Sequence, residues 1–378
     1  MADKKSFLDL EKVRAELQKY GVEDTDSEIM KIEKQVKSIL NSYKEKNKIA
    51  HEQYKEALPF SEIYKTTEGL NLPKWVLEKL DVARIYGNSK QMIIFPDGEK
   101  YQINNPLNNL SGGDWLNFTT SVFSTFYTTN GKDSYAHEIR KIHPTPKPPQ
   151  LMKEIIEFFT KENEIVFDYF MGVGGSLLGA GLSNRCAVGI DLNQKYINAY
   201  KLAAKEIGVK EFKTICGDCI EILSNESQMK NLFAEEKISL VLIDPPYANM
   251  MSKEKTGADI NVYGNVATPF TTDGRDFGNL PVNEFYVSLK KSVELVLPYI
   301  KKHGYIVIFV KDLQPVKKET NLLHAKIIEK INEIPNVNYK GLRIWADKSA
   351  KLFPYGYPFS FVANQIHQYI MVFRKEKW

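Results

Sequence analysis

The feature that most constrains the fold of this chain is a regular alternation of strand-like and helix-like segments from about residue 140 to the end. The apolar, β-prone segments are 163–170, 186–192, 212–218, 237–247, 305–312, 339–346 and 367–375. Most are separated by stretches with helical spacing, and strands joined by helices pair in parallel through right-handed crossovers. We therefore predict an α/β fold with a doubly wound, mostly parallel sheet. No helix-like stretch separates the last two strands, so we expect the final strand to pair antiparallel.

The first 110 residues follow a different pattern. Residues 1 to about 60 carry apolar positions three and four apart among many Lys and Glu, which predicts helix. Residues 91–103 favour a small β-hairpin with an Asp-Gly turn, and a run of Asn, Pro, Ser and Gly follows it. We place a boundary there. A mainly helical N-terminal region (1–110) is expected to precede an α/β domain (111–378).

Composition bounds the class of protein. Of the 378 residues, 43% are hydrophobic and 26% are charged, as in soluble globular proteins with a full core. The formal net charge of +4 permits a nucleic-acid partner without indicating one, because such binding depends on clustered charge. The sequence has no signal peptide and no apolar run of membrane-spanning length, so we expect a cytoplasmic protein without membrane contact. Cys186, Cys216 and Cys219 form no paired framework, which suits a reducing compartment, and no metal site is expected.

The ends of the predicted strands carry the residues that point to function, because ligands of doubly wound sheets bind beyond the carboxyl ends of the strands. The first strand runs into the sequence D-Y-F-M-G-V-G-G, from Asp168 to Gly175. Glycines there allow a tight turn and a close approach of the backbone to a ligand. The spacing differs from the dinucleotide-binding G-x-G-x-x-G pattern, and no phosphate-loop Lys-Ser/Thr follows it.

The next two strands each end in an acidic residue. Asp191 follows the glycines by about twenty residues, a position from which a carboxylate accepts hydrogen bonds from the hydroxyls of a ribose. Asp218 ends the third strand and offers a carboxylate to the amino group of a purine. Either residue alone is consistent with a solvated strand end. The two in register beside a glycine turn predict a nucleoside site without a pyrophosphate cradle.

The fourth strand ends in the tetrapeptide Asp244-Pro245-Pro246-Tyr247. Two consecutive prolines force an extended, rigid turn and provide no N–H, so the carbonyls beside them stay free to accept hydrogen bonds. The Asp244 carboxylate and the Pro245 carbonyl then form a pair of acceptors. A planar amino group can donate both of its hydrogens to this pair while its ring stacks on Tyr247. The alternative is a purely structural Pro-Pro strand end.

These strand ends, in this order, resemble the S-adenosylmethionine-dependent amino-methyltransferases of DNA. The tetrapeptide D-P-P-Y and the turn D-x-F-x-G-x-G match two motifs of that family. The upstream stretch 143–151, H-P-T-P-K-P-P-Q-L, resembles its remaining cofactor motif. The resemblance covers roughly residues 111–378 and is silent about residues 1–110. It implies a Rossmann-like methyltransferase domain with S-adenosylmethionine as cofactor.

The resemblance also implies a role for each matching residue. On the methionine side of the cofactor it places Lys147, Pro148, Asp168, Phe170, Gly172 and Gly174, with Asp168 facing the methionine amino group. On the nucleoside side it assigns the ribose to Asp191, the adenine amino group to Asp218 and the adenine ring to Cys219. The catalytic residues, which receive a flipped target base, are Asp244, Pro245, Pro246 and Tyr247.

The implied reaction is methyl transfer to the N6 amino group of adenine in double-stranded DNA. N4 methylation of cytosine is an alternative, because it also transfers a methyl group to an exocyclic amino group and uses similar motifs. Amino-methylation of RNA is a further alternative. A catalytically silent nucleic-acid-binding subunit is the non-enzymatic alternative, against which the intact tetrapeptide argues. Cytosine C5 chemistry is not expected, because that chemistry needs a thiolate in a Pro-Cys pair and no cysteine here follows a proline. The implied partners are double-stranded DNA and a cognate restriction endonuclease, with the chain a monomer or a homodimer.

Two polar stretches of the α/β domain are candidates for DNA contact, since long polar loops in compact domains are usually functional or disordered. The first, 248–281, contains residue types that hold phosphates or fill the gap left by an extruded base, namely Lys253, Lys255, Tyr263, Phe270 and Arg275. The second, 346–366, lies between the last two strands and contains Lys348, Lys351 and several aromatic residues. The N-terminal region is a third candidate, as a DNA-contacting or oligomerisation element, and its alternative is a solvated helical arm.

Overall fold

The computed structural model describes residues 10–19, 26, 29–30, 52–70, 72–96, 99–233, 236–248, 270–312, 320–350 and 352–376. The chain divides into two compact units, residues 1–106 and 107–378. Among the described residues, no helix is both long enough and apolar enough to cross a membrane.

The N-terminal unit contains a small antiparallel sheet. Its helices include α1 (Leu10–Lys19), α2 (Phe60–Ile63) and α3 (Lys74–Leu77), and residues 52–56 are also helical. Its strands, in sheet order, are β1 (Leu58–Pro59), β2 (Arg84–Tyr86), β3 (Met92–Ile94) and β4 (Lys100–Gln102). Strands β3 and β4 form the predicted hairpin, with Ile93 opposite Tyr101. The Asp97-Gly98 turn and most of the segment predicted as helix from 1 to 60 lie outside the described residues.

The core of this unit explains why β1 and β2 form although the sequence does not predict them. Phe60, Val76, Ile85, Ile93 and Phe95 are buried together. Strands of two or three residues are too short to show a period of two, so local pattern does not predict them. The described part of the unit therefore contains two short strands, β1 and β2, beyond the hairpin that we expected.

The second unit has helices on both faces of a larger sheet. Its described strands are β5 (Val122–Thr125), β6 (Ile165–Asp168), β7 (Cys186–Asp191), β8 (Lys213–Cys216), β9 (Ile238–Ile243), β10 (Ile300–Val310), β11 (Val337–Asp347) and β12 (His367–Lys375). Its described α-helices are α4 (Gly112–Phe118), α5 (His137–Arg140), α6 (Pro149–Phe159), α7 (Gly175–Gly181), α8 (Gln194–Ile207), α9 (Cys219–Ser224), α10 (Glu226–Phe233), α11 (Val282–Val296) and α12 (Leu323–Asn332).

The strand order of this sheet is β5-β11-β12-β10-β9-β6-β7-β8. Neighbouring strands pair in parallel except β12, which is antiparallel to both β10 and β11. The predicted fold class and the antiparallel final strand are thus confirmed. The edge strand β5 is an element that the sequence does not predict, because its four residues are at most half-buried and form no apolar run.

The apolar sequence of the central strand β9 matches its burial on both faces of the sheet. All six of its residues are buried. Val241 and Ile243 pack into one core with α11 and α12, whereas Leu240 and Leu242 pack into another with α6, α7 and α8. Side chains of a strand alternate between the two faces of a sheet, so a strand covered by helices on both faces has a continuous apolar sequence.

The winding of the sheet reverses between β6 and β9. The chain adds β7 and β8 on one side of β6, and it adds β9 and β10 on the other side. In doubly wound sheets, ligands bind in the crevice beyond the carboxyl ends of the strands at this reversal. Asp168 ends β6, Asp191 ends β7 and Asp244 directly follows β9, so three predicted site residues lie at this edge.

Candidate active site

The glycine turn after β6 is packed so closely that side chains would not fit. Gly172 and Gly174 have φ angles of +49° and +74°, in the left-handed region that glycine adopts most readily. A Cβ on Gly174 would lie 2.2 Å from Cδ2 of Tyr200, and one on Gly175 would lie 2.6 Å from the carbonyl oxygen of Lys147. The turn therefore lies directly against the 143–151 stretch, the other segment that the motif resemblance assigns to the cofactor.

The carboxylate of Asp168 stabilises this turn through two hydrogen bonds. One of its carboxylate oxygens accepts from the Phe170 N–H at 2.9 Å, and the other accepts from the Ser176 hydroxyl. The residue is 3% exposed, and its burial raises the pKa of Asp168 to about 7. The contact with a methionine amino group stays a prediction. The structure adds an intramolecular role that the sequence motif does not indicate.

Asp191 is tied to the same turn from the end of β7. Its Oδ2 accepts from the Gly172 N–H at 2.8 Å, and its Oδ1 accepts from the Asn193 N–H at 2.8 Å. Burial is the main cause that raises the pKa of Asp191 to about 6. Each carboxylate oxygen has a second lone pair, so both oxygens can still accept from a hydroxyl group. The predicted ribose contact is compatible with this geometry.

The third strand end is partly structural. Asp218 caps α9, because its Oδ1 accepts from the Glu221 N–H at 2.7 Å. Cys219, the first residue of α9, is 6% exposed and packs in the core, and burial raises the pKa of its thiol well above the ordinary value. A protonated, buried thiol is a packing group rather than a nucleophile.

The carboxylate that follows β9 is held by two side chains. The Nζ atom of Lys147 lies 2.5 Å from Oδ2 of Asp244, and the Tyr247 hydroxyl donates to Oδ1 at 3.0 Å. The Lys147 and Asp244 side chains are 8% and 18% exposed. Pro245 is buried and Pro246 is half-buried, as expected of a rigid turn at the end of a core strand. The motif resemblance places Lys147 beside the cofactor, and the structure also brings its ammonium group to the predicted catalytic carboxylate.

A buried arginine anchors the backbone of Lys147. Arg140 is 1% exposed and donates through Nη1 to the Lys147 carbonyl oxygen at 2.8 Å. Its Nε donates to the Tyr135 carbonyl oxygen at 3.1 Å. The Lys147 ammonium also lies 5.4 Å from the centre of the Phe309 ring, near the end of β10. Sequence reasoning misses Arg140, because no local pattern distinguishes it from a surface arginine.

His143 and Phe270 pack over the glycine turn. Their rings stack with centroids 5.0 Å apart, and the His143 ring meets Tyr196 edge-on at 4.8 Å. A Cβ on Gly172 would lie 3.3 Å from Nε2 of His143. Burial lowers the pKa of His143 to about 4, so the imidazole is neutral at pH 7. Phe270, predicted to contact DNA, is thus half-buried against the glycine turn.

The other residues predicted to contact DNA are less fully described. Arg275 is exposed, and its Nη2 pairs with Oδ2 of Asp273 at 2.7 Å. Lys253, Lys255 and Tyr263 lie outside the described residues.

Comparison with known families identifies one matching model. The family model described as DNA methylase, of the N6/N4 methyltransferases, matches residues 13–203, about half of the chain. The match contains the glycine turn and Asp191 and ends before Asp218 and Asp244. It also extends into the N-terminal unit, where the motif resemblance is silent.

Curated relatives match shorter stretches. The chain is 39% identical over 67 residues to the type II methyltransferase M.HpaI of Haemophilus parainfluenzae, which covers 18% of this chain and 21% of that protein. It is 30% identical over 105 residues to the type II methyltransferase M1.MboII of Moraxella bovis, covering 28% and 37%. It is 29% identical over 104 residues to the tRNA (guanine(10)-N2)-dimethyltransferase of Pyrococcus abyssi, covering 28% and 29%. Each alignment thus spans less than two fifths of the relative's length.

Solved structures resemble the chain more distantly. TrmN from Thermus thermophilus matches with a TM-score of 0.38 and 12% identity, over 63% of this chain and 52% of that chain. The fold assignment rests on the strand order given above.

Proposed function

The chain belongs to the DNA methylase family of N6 and N4 amino-methyltransferases, and we propose that it methylates the N6 amino group of adenine in double-stranded DNA. The cofactor of this family is S-adenosylmethionine, which supplies an electrophilic methyl group when bound. The observation that carries the proposal is the Asp244 carboxylate, held between Lys147 and Tyr247 at the carboxyl end of β9.

The residues around the glycine turn fit this cofactor. Asp191 has lone pairs left beside the backbone of the turn, and a ribose offers two hydroxyl groups to it. Gly172 and Gly174 have no side chain to keep a ligand away from the backbone. From the family motifs we propose the remaining contacts, with Lys147, Pro148, Asp168 and Phe170 on the methionine side and Asp218 and Cys219 on the adenine side.

The tetrapeptide acts on a weak nucleophile. The lone pair of an adenine amino group is delocalised into the ring, so the nitrogen attacks only when it becomes pyramidal. In the proposed complex the Asp244 carboxylate and the Pro245 carbonyl accept its two hydrogens and stabilise that geometry. The bound cofactor would supply its methyl group to this nitrogen as the methyl–sulfur bond breaks, and the surplus proton on nitrogen would leave through Asp244. Catalysis rests on positioning and on aimed acceptors.

Lys147 and Tyr247 prepare Asp244 for this role. With an ammonium group on Oδ2 and a hydroxyl group on Oδ1, the carboxylate is oriented before the substrate arrives. A preorganised group costs little reorganisation at the moment of reaction. We therefore assign Lys147 as a positioning residue for Asp244, in addition to its place beside the cofactor.

The target base must leave the duplex to reach Asp244, at a cost of a few kcal/mol. Stacking on Tyr247, worth roughly 1–3 kcal/mol by analogy with other base–aromatic contacts, offsets part of this cost. Among the described residues of the 248–281 stretch, Arg275 is an exposed cation that can contact a phosphate. We also propose DNA contacts for Lys253, Lys255, Tyr263 and Phe270, and Phe270 must leave His143 to make one.

Two other substrates remain candidates. N4 of cytosine presents the same kind of amino group, and the family contains both chemistries. Amino-methylation of RNA is favoured by one relative, which is a tRNA (guanine(10)-N2)-dimethyltransferase. A catalytically silent nucleic-acid-binding subunit is disfavoured, because nothing in pure binding needs an oriented, half-buried carboxylate at Asp244. The type II names of other relatives support a cognate restriction endonuclease as partner, and a cytoplasmic monomer or homodimer is proposed with it.

The decisive experiment is product analysis. The purified protein is incubated with S-adenosylmethionine and either plasmid DNA or tRNA, and modified nucleosides are identified by mass spectrometry. We expect 6-methyladenine in DNA at a recurring sequence. Exclusive 4-methylcytosine would assign the cytosine alternative, and modification of tRNA alone would contradict the proposal. Cofactor binding without transfer to any nucleic acid would support the silent subunit.

A further inference from the structure

The loop between β11 and β12 carries large aromatic side chains almost wholly in solvent. Tyr357 is 81% exposed, Phe359 is 93% exposed and Phe361 is 94% exposed. Leu352, at the start of the loop, is 69% exposed. Groups of exposed apolar side chains on a soluble protein usually mark a binding surface. We call residues 352–362 the aromatic loop.

The backbone of the aromatic loop is fixed by hydrogen bonds. Asn364 donates through Nδ2 to the Phe353 carbonyl oxygen at 2.8 Å and accepts from the Phe353 N–H through Oδ1 at 2.9 Å. The Gly356 carbonyl accepts from the N–H groups of Phe359 and Ser360, both at 2.7 Å. Gly356 has a φ angle of +75°, and a Cβ there would lie 2.3 Å from the Ser360 carbonyl oxygen. The exposed rings therefore project from a defined turn.

The aromatic loop lies at the same edge of the sheet as Asp244. Strand β11 is antiparallel to β12, and β12 is antiparallel to β10, so β11 runs parallel to β9. The carboxyl end of β11, from which the loop departs, thus faces the edge that carries Asp244. Three strand spacings separate β11 from β9, about 14 Å at the usual distance between strands. That length corresponds to about four nucleotide steps along one DNA strand.

Charge around the aromatic loop favours a polyanion as partner. Between Asp347 and Glu376 the sequence contains no Asp or Glu, and Lys348 and Lys351 precede the loop. Phe126, which follows the neighbouring strand β5, is 65% exposed and adds an apolar group at this edge. Exposed rings on a stretch of sequence that carries lysines and no carboxylates match the bases and phosphates of a nucleic acid strand.

We propose that the aromatic loop binds DNA beside the target nucleotide, with Phe359 and Phe361 stacking on bases that become accessible when the duplex opens. This inference rests on the proposed function, because it takes duplex DNA as the substrate. Base–aromatic stacking tolerates any sequence, since every base has a π face. The loop therefore contributes affinity and strand opening, and sequence recognition belongs to other residues.

The test compares the double variant Phe359→Ala/Phe361→Ala with the parent in duplex binding and in methyl transfer. Loss of two stacking rings lowers duplex affinity by about tenfold or more and raises KM for DNA in parallel. Affinity for S-adenosylmethionine, measured by calorimetry, stays within about twofold because the loop lies away from the glycine turn. The variant Phe359→Trp/Phe361→Trp keeps flat rings and keeps parental affinity.

A matched control separates stacking from a general effect of exposed apolar groups. Leu116 is 72% exposed on α4, the helix that leads to the amino end of β5, so Leu116→Ala leaves DNA binding unchanged. Salt dependence gives a second readout. Lys348→Ala lowers the slope of log affinity against log salt by about one, whereas the Phe variants leave that slope unchanged.

Parental duplex affinity in the double alanine variant would overturn the inference, and so would an equal loss in Leu116→Ala. A failure of the proposed function would give a different experimental result from a failure of this inference. A parent protein that binds duplex DNA without methylating it contradicts the proposed reaction alone, because the role of the aromatic loop is judged by affinity.

Discussion

The two sides of the candidate site hold their carboxylates in different ways. On the cofactor side, Asp168 and Asp191 accept mainly from backbone N–H groups of the glycine turn and its neighbours, and the Ser176 hydroxyl is the one side-chain donor among these bonds. On the substrate side, the side chains of Lys147 and Tyr247 donate to the carboxylate of Asp244. Backbone donors cannot move without reshaping the turn, whereas side-chain donors can be removed one at a time. The cofactor side is therefore part of the fold, and the substrate side can be altered with the fold intact.

The largest expected effect follows from removing the substrate-side carboxylate. Asp244→Ala deletes an aimed acceptor, so we expect kcat to fall by at least about 100-fold. Affinity for S-adenosylmethionine is expected to stay within a few-fold, because Asp191 and the glycine turn are untouched. Steady-state kinetics and calorimetry measure the two quantities. The control is Glu226→Ala, which removes an exposed carboxylate paired with Lys230. Near-parental turnover in Asp244→Ala would show that this strand end has only a structural role.

A smaller effect is expected when Asp244 is kept but its orientation is loosened. Lys147→Met removes the ammonium group on Oδ2 while preserving most of the side-chain volume, and we expect kcat to fall by about tenfold or more. Lys147→Arg keeps the charge and is expected to recover part of this loss. Lys153→Met, which breaks a half-exposed pair with Glu157 on α6, is the matched control.

The kinetic constants separate positioning from cofactor binding. If Lys147 acts mainly through Asp244, its loss lowers kcat more than it changes KM for S-adenosylmethionine. A change confined to the KM for S-adenosylmethionine would show that Lys147 acts in cofactor binding alone.

These contrasts also show what the sequence predicts and what it does not. The order of strands and helices follows from local pattern, because strands such as β9 are buried on both faces and have unbroken apolar sequences. The predicted site residues Asp168, Asp191 and Asp244 follow from their place at strand ends. The contact of Lys147 with Asp244 joins residues 97 apart, and local periodicity carries no information about such a contact. The stacking of Phe270 on His143 is missed for the same reason.

The cofactor side can be tested through affinity. Asp191→Ala removes the proposed ribose acceptor, and we expect S-adenosylmethionine binding to weaken by on the order of 1–3 kcal/mol, as for charge-assisted hydrogen bonds. Because Asp191 also holds the Gly172 N–H, thermal unfolding must be measured alongside calorimetry. Asp191→Asn retains one acceptor and is expected to bind with intermediate affinity. Unchanged affinity in both variants would place the ribose elsewhere.

The smallest expected effect is a pH dependence of the free energy of unfolding that arises from Asp168 on the cofactor side. Burial raises the pKa of Asp168 to about 7, above its value in an unfolded chain, so between these values the folded state binds the extra proton. Stability therefore falls as pH rises, because at higher pH the folded state must bury an ionised carboxylate. Between pH 6 and pH 8 this contribution amounts to on the order of 1 kcal/mol. Urea unfolding of the parent and of Asp168→Asn across this window measures it. A difference between the two proteins that stays constant with pH would show that Asp168 does not titrate there and that the glycine turn holds it ionised.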